Sequence, residues 1–414
     1  MGQVYDLKYS HCDEFPTRHF DRSECVLFKV LSFNATEIRV MLRFLQLRTA
    51  LTISAFALLF IGCGSSDLTS IKDTVGIHMN DVVVKLVELP QKAPDLYSRG
   101  IEFGSDGKYL AVMSESVDNK YENIHIWDWR NKRIVKTVAE PSGAEGDSTN
   151  PLQFSPDGSL LAACAGRGMG DVLARVWRTS DWTIARDILD SGSGSGDCTA
   201  MIFSADGKFL ILAVDRRPQY GEYLVVYSVG TWQRVWGLTS KTFSPASLAI
   251  SPDGNELAIS GMDTYVSESD NAPGLEGARN TLGVKIADLA QRNVTHTFDC
   301  EVSGSMAWSR DGTKIVLVGG PAVAAIDSKS GKTLMHQSLK DAAHMNIRFT
   351  PDGRYLIESD MDGLGNGLGV KIWDPARQRL YQHIHGNVAS ISVSRDSTLL
   401  AVGATGRTAV YKIK

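Results

Sequence analysis

The chain has 414 residues, 43% hydrophobic and 22% charged, a composition that fits a globular domain. Its 43 basic and 47 acidic residues leave a formal charge of −4, which argues against a nucleic-acid partner because phosphate contacts need a basic stripe. Residues 1–40 carry mixed charges, Cys12 and Cys25, and no turn or periodic pattern. They read as an over-long gene start with translation beginning at Met41, or as a disordered extension.

From Met41 the chain reads MLRFLQLRTALTISAFALLFIGCGSSD, with Arg43 and Arg48 ahead of an apolar run from Ala50 to Ile61 and then Gly62-Cys63. A basic start, an apolar stretch and a small residue before cysteine resemble a bacterial lipoprotein signal over residues 41–62. The run is shorter than the roughly 20 residues of a membrane span. The resemblance implies lipidation of Cys63, a polar tether over residues 63–81, and a place in the bacterial cell envelope outside the cytoplasm, periplasmic or at the cell surface. An uncleaved hydrophobic anchor is the alternative. Without residues 1–62 the chain keeps 36 basic and 41 acidic residues, a charge near −5.

Next stands an isolated strand-like run, Val82 to Leu89 (VVVKLVEL), and after it a repeat. Seven apolar runs end in Ser/Thr-x-Asp-Gly or a relative of it, starting at Phe103, Phe154, Phe203, Ile250, Trp308, Phe349 and Val393. The starts lie 51, 49, 47, 58, 41 and 44 residues apart, the period of a four-stranded propeller blade. In these turns Asp can cap through its side chain and Gly takes the left-handed conformation; only the last copy breaks the pattern, with Ser397 in place of Gly. A second and a third apolar run follow each turn, and a fourth follows in the units before the last. The expected fold is therefore all-β, a seven-bladed β-propeller over residues 82–414.

The chain reaches Lys414 directly after the third strand of the seventh unit. The economical inference is that Val82–Leu89 supplies the missing outer strand and closes the ring, which removes open sheet edges. With Trp127-Asp128 and Trp373-Asp374 ending third strands, the turn series resembles degenerate WD-repeats over about residues 82–414. The Gly-His pair of that family is missing, and His385-Gly386 has the reverse order. The propeller of the Tol translocation system, with similar Ser-Pro-Asp-Gly turns, is the second resemblance.

Connections after second and fourth strands are long in several blades and emerge on one face, the usual place for binding. They lean acidic: Glu115, Asp118, Glu122, Asp263, Glu268, Asp270, Asp360 and Asp362 are the candidate interaction residues. Asp360-Met361-Asp362-Gly363 echoes the start of a calcium loop without its remaining ligands. A second candidate site is the inner-strand slot one residue before each turn-leading apolar residue: Glu102, Gln153, Ile202, Ala249, Ala307, Arg348 and Ser392. Such residues line the central channel or sit between blades, and a water-filled structural channel is preferred over a ligand site.

No catalytic motif is placed in a fitting context. Gly192 to Gly196 and Gly363 to Gly369 read as flexible loops, and His383-x-His385 lacks a third metal ligand nearby. Cys164, Cys198 and Cys300 are expected as buried thiols, a Cys164–Cys198 bridge being the minority alternative. The favoured function is a monomeric, non-catalytic, membrane-tethered scaffold without cofactor or metal, which binds another envelope or surface protein through its long-loop face. The runner-up is an enzyme or small-ligand binder at the channel mouth.

Overall fold

The computed structural model describes residues 82–90, 96–116, 122–139, 152–165, 172–189, 196–216, 221–265, 279–320, 322–338, 342–362 and 367–414. Cys63, the signal-like segment and the tether lie outside them.

A strand β1 (Val83–Pro90) precedes blade 1, made of β2 (Leu96–Phe103), β3 (Tyr109–Ser116), β4 (Glu122–Asp128) and β5 (Arg133–Ala139). Blade 2 is β6 (Leu152–Phe154), β7 (Leu160–Cys164), β8 (Val172–Arg178) and β9 (Ile184–Leu189). Blade 3 is β10 (Asp197–Phe203), β11 (Phe209–Asp215), β12 (Gly221–Ser228) and β13 (Arg234–Ser240). Blade 4 is β14 (Phe243–Ile250), β15 (Glu256–Tyr265), β16 (Arg279–Asp288) and β17 (Asn293–Asp299). Blade 5 is β18 (Ser305–Trp308), β19 (Lys314–Gly319), β20 (Ala322–Asp327) and β21 (Thr333–Ser338). Blade 6 is β22 (Ala342–Phe349), β23 (Leu356–Asp362), β24 (Gly367–Asp374) and β25 (Arg379–His385). Blade 7 holds β26 (Val388–Val393), β27 (Leu399–Ala404) and β28 (Arg407–Ile413), and β1 is its fourth strand, in the order β1-β28-β27-β26.

The seven sheets are antiparallel and each packs against its neighbours, so the second strands are buried on both sides; all six residues of β27 are buried. β1 pairs with β28 from Val83 opposite Ile413 to Pro90 opposite Arg407. Its side chains serve two blades. Leu89 and Val87 pack with Leu110 and Trp127 of blade 1, while Val82 and Val83 pack with Ile357 and Val370 of blade 6. Gln382 on β25 clasps the strand as well: Val83 N–H donates to its Oε1 at 2.9 Å, and its Nε2 donates to the Val83 carbonyl at 3.2 Å.

The turns explain their own sequence. In six of the seven copies the Ser or Thr hydroxyl donates to the Asp carboxylate at 2.6–2.7 Å. The same oxygen accepts the N–H that opens the next strand at 2.9–3.0 Å. The Asp carboxylate accepts a second backbone N–H at 3.0–3.1 Å. The hydroxyl works as donor and acceptor at once in these six copies, a role the repeat pattern alone did not reveal, while the first copy makes the same backbone turn with Gly104 in that place. Two causes demand the glycine. It sits at positive φ, and in some copies the preceding blade's turn crowds it: a Cβ on Gly353 would lie 2.9 Å from the Cβ of Arg310.

Ser397, at φ 61°, has a compensation: its hydroxyl accepts the Asp352 N–H at 2.9 Å and ties blade 6 to blade 7. Cys164, at the end of β7, and Cys198, near the start of β10, form a disulfide between blades 2 and 3 with Cα atoms 5.4 Å apart. This corrects the expectation of two buried thiols; the packing of blade 2 on blade 3 brings the end of β7, a second strand, and the start of β10, a first strand, within bonding reach. Cys300 is free and half-buried, and burial pushes its thiol pKa up.

The Ser397 bond predicts a split between two substitutions. Ser397→Ala keeps the strained backbone and leaves the Asp352 N–H without its hydroxyl, so it should lower stability by about 1–2 kcal/mol. Ser397→Gly relieves the strain and should lose less. Urea midpoints compare them, and an unchanged midpoint for Ser397→Ala would show that the bond contributes nothing.

Candidate functional site

The strand registers bring the seven slot residues into one ring. Each faces the second strand of its own blade at the same level: Glu102 opposite Ala111, Gln153 opposite Ala162, Ile202 opposite Ile211, Ala249 opposite Ala258, Ala307 opposite Val316, Arg348 opposite Ile357 and Ser392 opposite Ala401. Taken in blade order the ring is two-faced. Arg348, Ser392, Glu102 and Gln153 come from blades 6, 7, 1 and 2 and make a polar arc. Ile202, Ala249 and Ala307 come from blades 3, 4 and 5 and make an apolar arc.

Along the apolar arc the small alanines leave space. A cavity of about 590 Å³ opens there, lined by slot residues together with Leu248, Met306, Arg310 and the turn residues Pro252 and Pro351. Because its rim is built from the turns between first and second strands, it lies at the short-turn end of the channel, away from the long connections. The ring had been expected as a water-filled structural channel.

Within the polar arc two slot residues are bonded to each other. Ser392 Oγ donates to Glu102 at 3.0 Å and also accepts the Phe103 N–H at 3.2 Å. Channel walls desolvate Glu102 although it keeps some exposure, and this pushes its pKa up to about 7; Arg348, the Ser392 hydroxyl and Arg395 pull the other way. Arg348 donates to its neighbour's carbonyl, Ile347 O, at 3.0 Å. Arg395 reaches past blade 1 to donate to the Pro156 carbonyl of blade 2 at 2.7 Å, and Arg310 donates to the Pro351 carbonyl of blade 6. Three arginines from blades 5, 6 and 7 thus gather about one mouth. Arg310 and Arg395 were missed in the sequence; the signal was there, since they occupy the turn position where other copies carry Ser, Pro or Ala.

The acidic interaction candidates separate into three groups. Asp118, Glu268 and Asp270 lie outside the described residues. Glu115 and Glu122 face each other at the ends of β3 and β4, and Asp362 ends β23, so backbone pairing runs past the apolar residues into segments expected as loops. Asp263 and Asp360 are corrected outright. Asp263 on β15 accepts the Thr242 hydroxyl at 2.8 Å and pairs with Lys285 at 3.0 Å. Asp360 on β23 is fully buried and pairs with Lys371 at 2.5 Å, so it does not open a calcium loop. Beside it, His383 and His385 have ring centroids 3.9 Å apart, and burial together with His385 holds His383 below the usual histidine range. Among the described residues no group of three His, Cys, Asp or Glu side chains is placed to hold a metal ion.

No family model matches the chain. SEC12-like protein 1 of Arabidopsis thaliana is 28% identical over 174 residues, 41% of this chain. The match spans 38% of that protein's own length. The solved structure of Kuenenia stuttgartiensis hydrazine synthase superimposes with a TM-score of 0.59 over 80% of this chain and 99% of that one, at 16% identity. At that identity the likeness is one of fold, a seven-bladed propeller.

The raised Glu102 pKa has a measurable consequence. The folded state binds this proton more tightly than the unfolded chain, so its contribution to stability is present below 4.5 and is lost as pH rises through about 7. Glu102→Gln should therefore flatten the fall in melting temperature between about pH 5 and about pH 8 that the parent shows. Parallel pH profiles of parent and variant would place the Glu102 carboxyl elsewhere.

Proposed function

We propose that the chain is an exported propeller, anchored through a lipid on Cys63, which binds another envelope or surface protein through its long-connection face as a monomer and without catalysis. The observation that carries this reading is the hairpin of β15 and β16. These are ten-residue strands that stay paired out to Tyr265 opposite Arg279, and the acidic connection 266–278 leaves from their end. A paired ribbon that presents a connecting segment is the arrangement by which scaffolded loops recognise partners.

Two further features support it. On the opposite face the hydroxyl and carboxylate groups of six turns are bonded within those turns, so that chemistry serves the fold. The disulfide between blades 2 and 3 fits an oxidising compartment, as export through a lipoprotein-type signal would provide. Charge on the connection would steer a cationic partner without contributing much to folding.

Asp263 belongs to the fold, so the test uses Glu268, Asp270 and Glu276. Reversal of all three to Lys should weaken in-cell cross-linking to the partner by roughly tenfold and leave the melting temperature unchanged. Cys63→Ser should move the protein out of the membrane fraction or leave an unprocessed precursor. Unaltered cross-linking after the reversal would remove the loop face from the account, and an intact Met1 peptide on the mature protein would remove the lipid anchor.

A further inference from the structure

The channel mouth on the short-turn face carries chemistry that the loop-face reading does not use. Its wall is divided. One side presents Ile202, Leu248 and Met306 over the space left by Ala249 and Ala307. The other side brings Arg348 from the inner slot and Arg310 from the rim, with the Gln153 carboxamide at the far end of the lining. We infer that this cavity is a binding site for a small carboxylate attached to an apolar body, on the face opposite the long connections.

Charge, size and shape each point the same way. The whole chain carries −4, yet two guanidinium groups from consecutive blades, Arg310 and Arg348, line this cavity, so an anion is drawn to a local field opposite in sign to the net charge. Guanidinium is the group best matched to a carboxylate, which it holds through two parallel N–H bonds. Backbone carbonyls already hold these heads in place: Pro351 for Arg310 and Ile347 for Arg348. Little side-chain freedom is then left to be lost on binding. A volume of about 590 Å³ lies within the range of roughly 300–1,000 Å³ typical of small-molecule pockets. The apolar arc requires a ligand body that gains by leaving water, which excludes inorganic anions and sugar acids as good occupants.

Glu102 and Ser392 define the neighbouring arc. The carboxyl of Glu102 is held by Ser392 at 3.0 Å and is not among the groups that line the cavity. An amine would meet Arg348 and Arg310 first and be repelled.

The chemistry is shared by two sources, a free fatty-type acid and the carboxyl end of a peptide with an apolar last residue. Isothermal titration of the full chain with octanoate, with N-acetyl-leucyl-leucine and with its carboxamide separates them, and octylamine and 1-octanol control for charge. Saturable binding of octanoate or of the free-acid dipeptide, absent for octylamine and the carboxamide, is expected, and whichever acid binds more tightly names the source. Arg310→Met, at an exposed rim position, and Arg348→Met should each weaken that binding by roughly tenfold or more. Ala307→Met, which fills the apolar arc without touching charge, should weaken it as well, and it keeps the test open if Arg348→Met does not fold. Cross-linking through the 266–278 connection should be unaffected in all three, which distinguishes failure here from failure of the loop-face reading. Equal binding of octanoate and octylamine, no saturable binding of either acid, or acid binding that survives both Arg310→Met and Ala307→Met would overturn the assignment.

Discussion

Main-chain pairing between β1 and β28 is the interaction on which the rest depends. A four-stranded blade with two apolar faces and two open edges is not stable alone; it becomes so when a neighbour covers each face. Six blades are each built from one continuous stretch, but blade 7 has only three strands of its own, and its fourth is taken from the other end of the propeller. β1 does more than fill an edge. Leu89 and Val87 close the core toward blade 1, Val82 and Val83 close the core toward blade 6, and Gln382 binds the strand through both the oxygen and the nitrogen of its carboxamide. A buried polar seam completes the join, with Ser390 Oγ donating to the Ser98 carbonyl at 2.9 Å and Gly403 packed where a side chain would strike Ser98.

Closure places the channel. Once the ring is complete, the inner strands of all blades stand at one level, and the identity of a single slot residue per blade decides what the channel offers. Polar residues fall on four consecutive blades and apolar ones on the other three, so the ring has two chemically distinct sides. The short-turn face adds a second layer. Several turns lean on the next one round the ring, as where Ser105 Oγ donates to the Ser155 carbonyl at 2.7 Å, and the two arginines at turn positions reach toward following blades.

Much of the fold was legible because its determinants are local. Ser/Thr-x-Asp-Gly is a self-contained hydrogen-bonded unit, its spacing counts the blades, and a spare strand facing a deficient blade left one economical solution. The inner slot was legible for the same reason, since it lies at a fixed offset from the turn. What was not legible depends on partners distant in sequence. Asp263 and Asp360 look like loop acids until Lys285 and Lys371 arrive from adjacent strands. The Cys164–Cys198 bond needs the stagger of two blades. Arg310 and Arg395 appear as surface turn residues until the ring turns them toward one mouth.

Native-state hydrogen exchange, followed by mass spectrometry on peptides from β1, β27 and β28, tests ring closure most directly. If β1 locks the ring, its amides are released only with those of β27 and β28, in one cooperative opening that tracks global unfolding. Exchange of β1 at the rate of an exposed terminus, while β27 and β28 stay protected, would contradict closure by this strand.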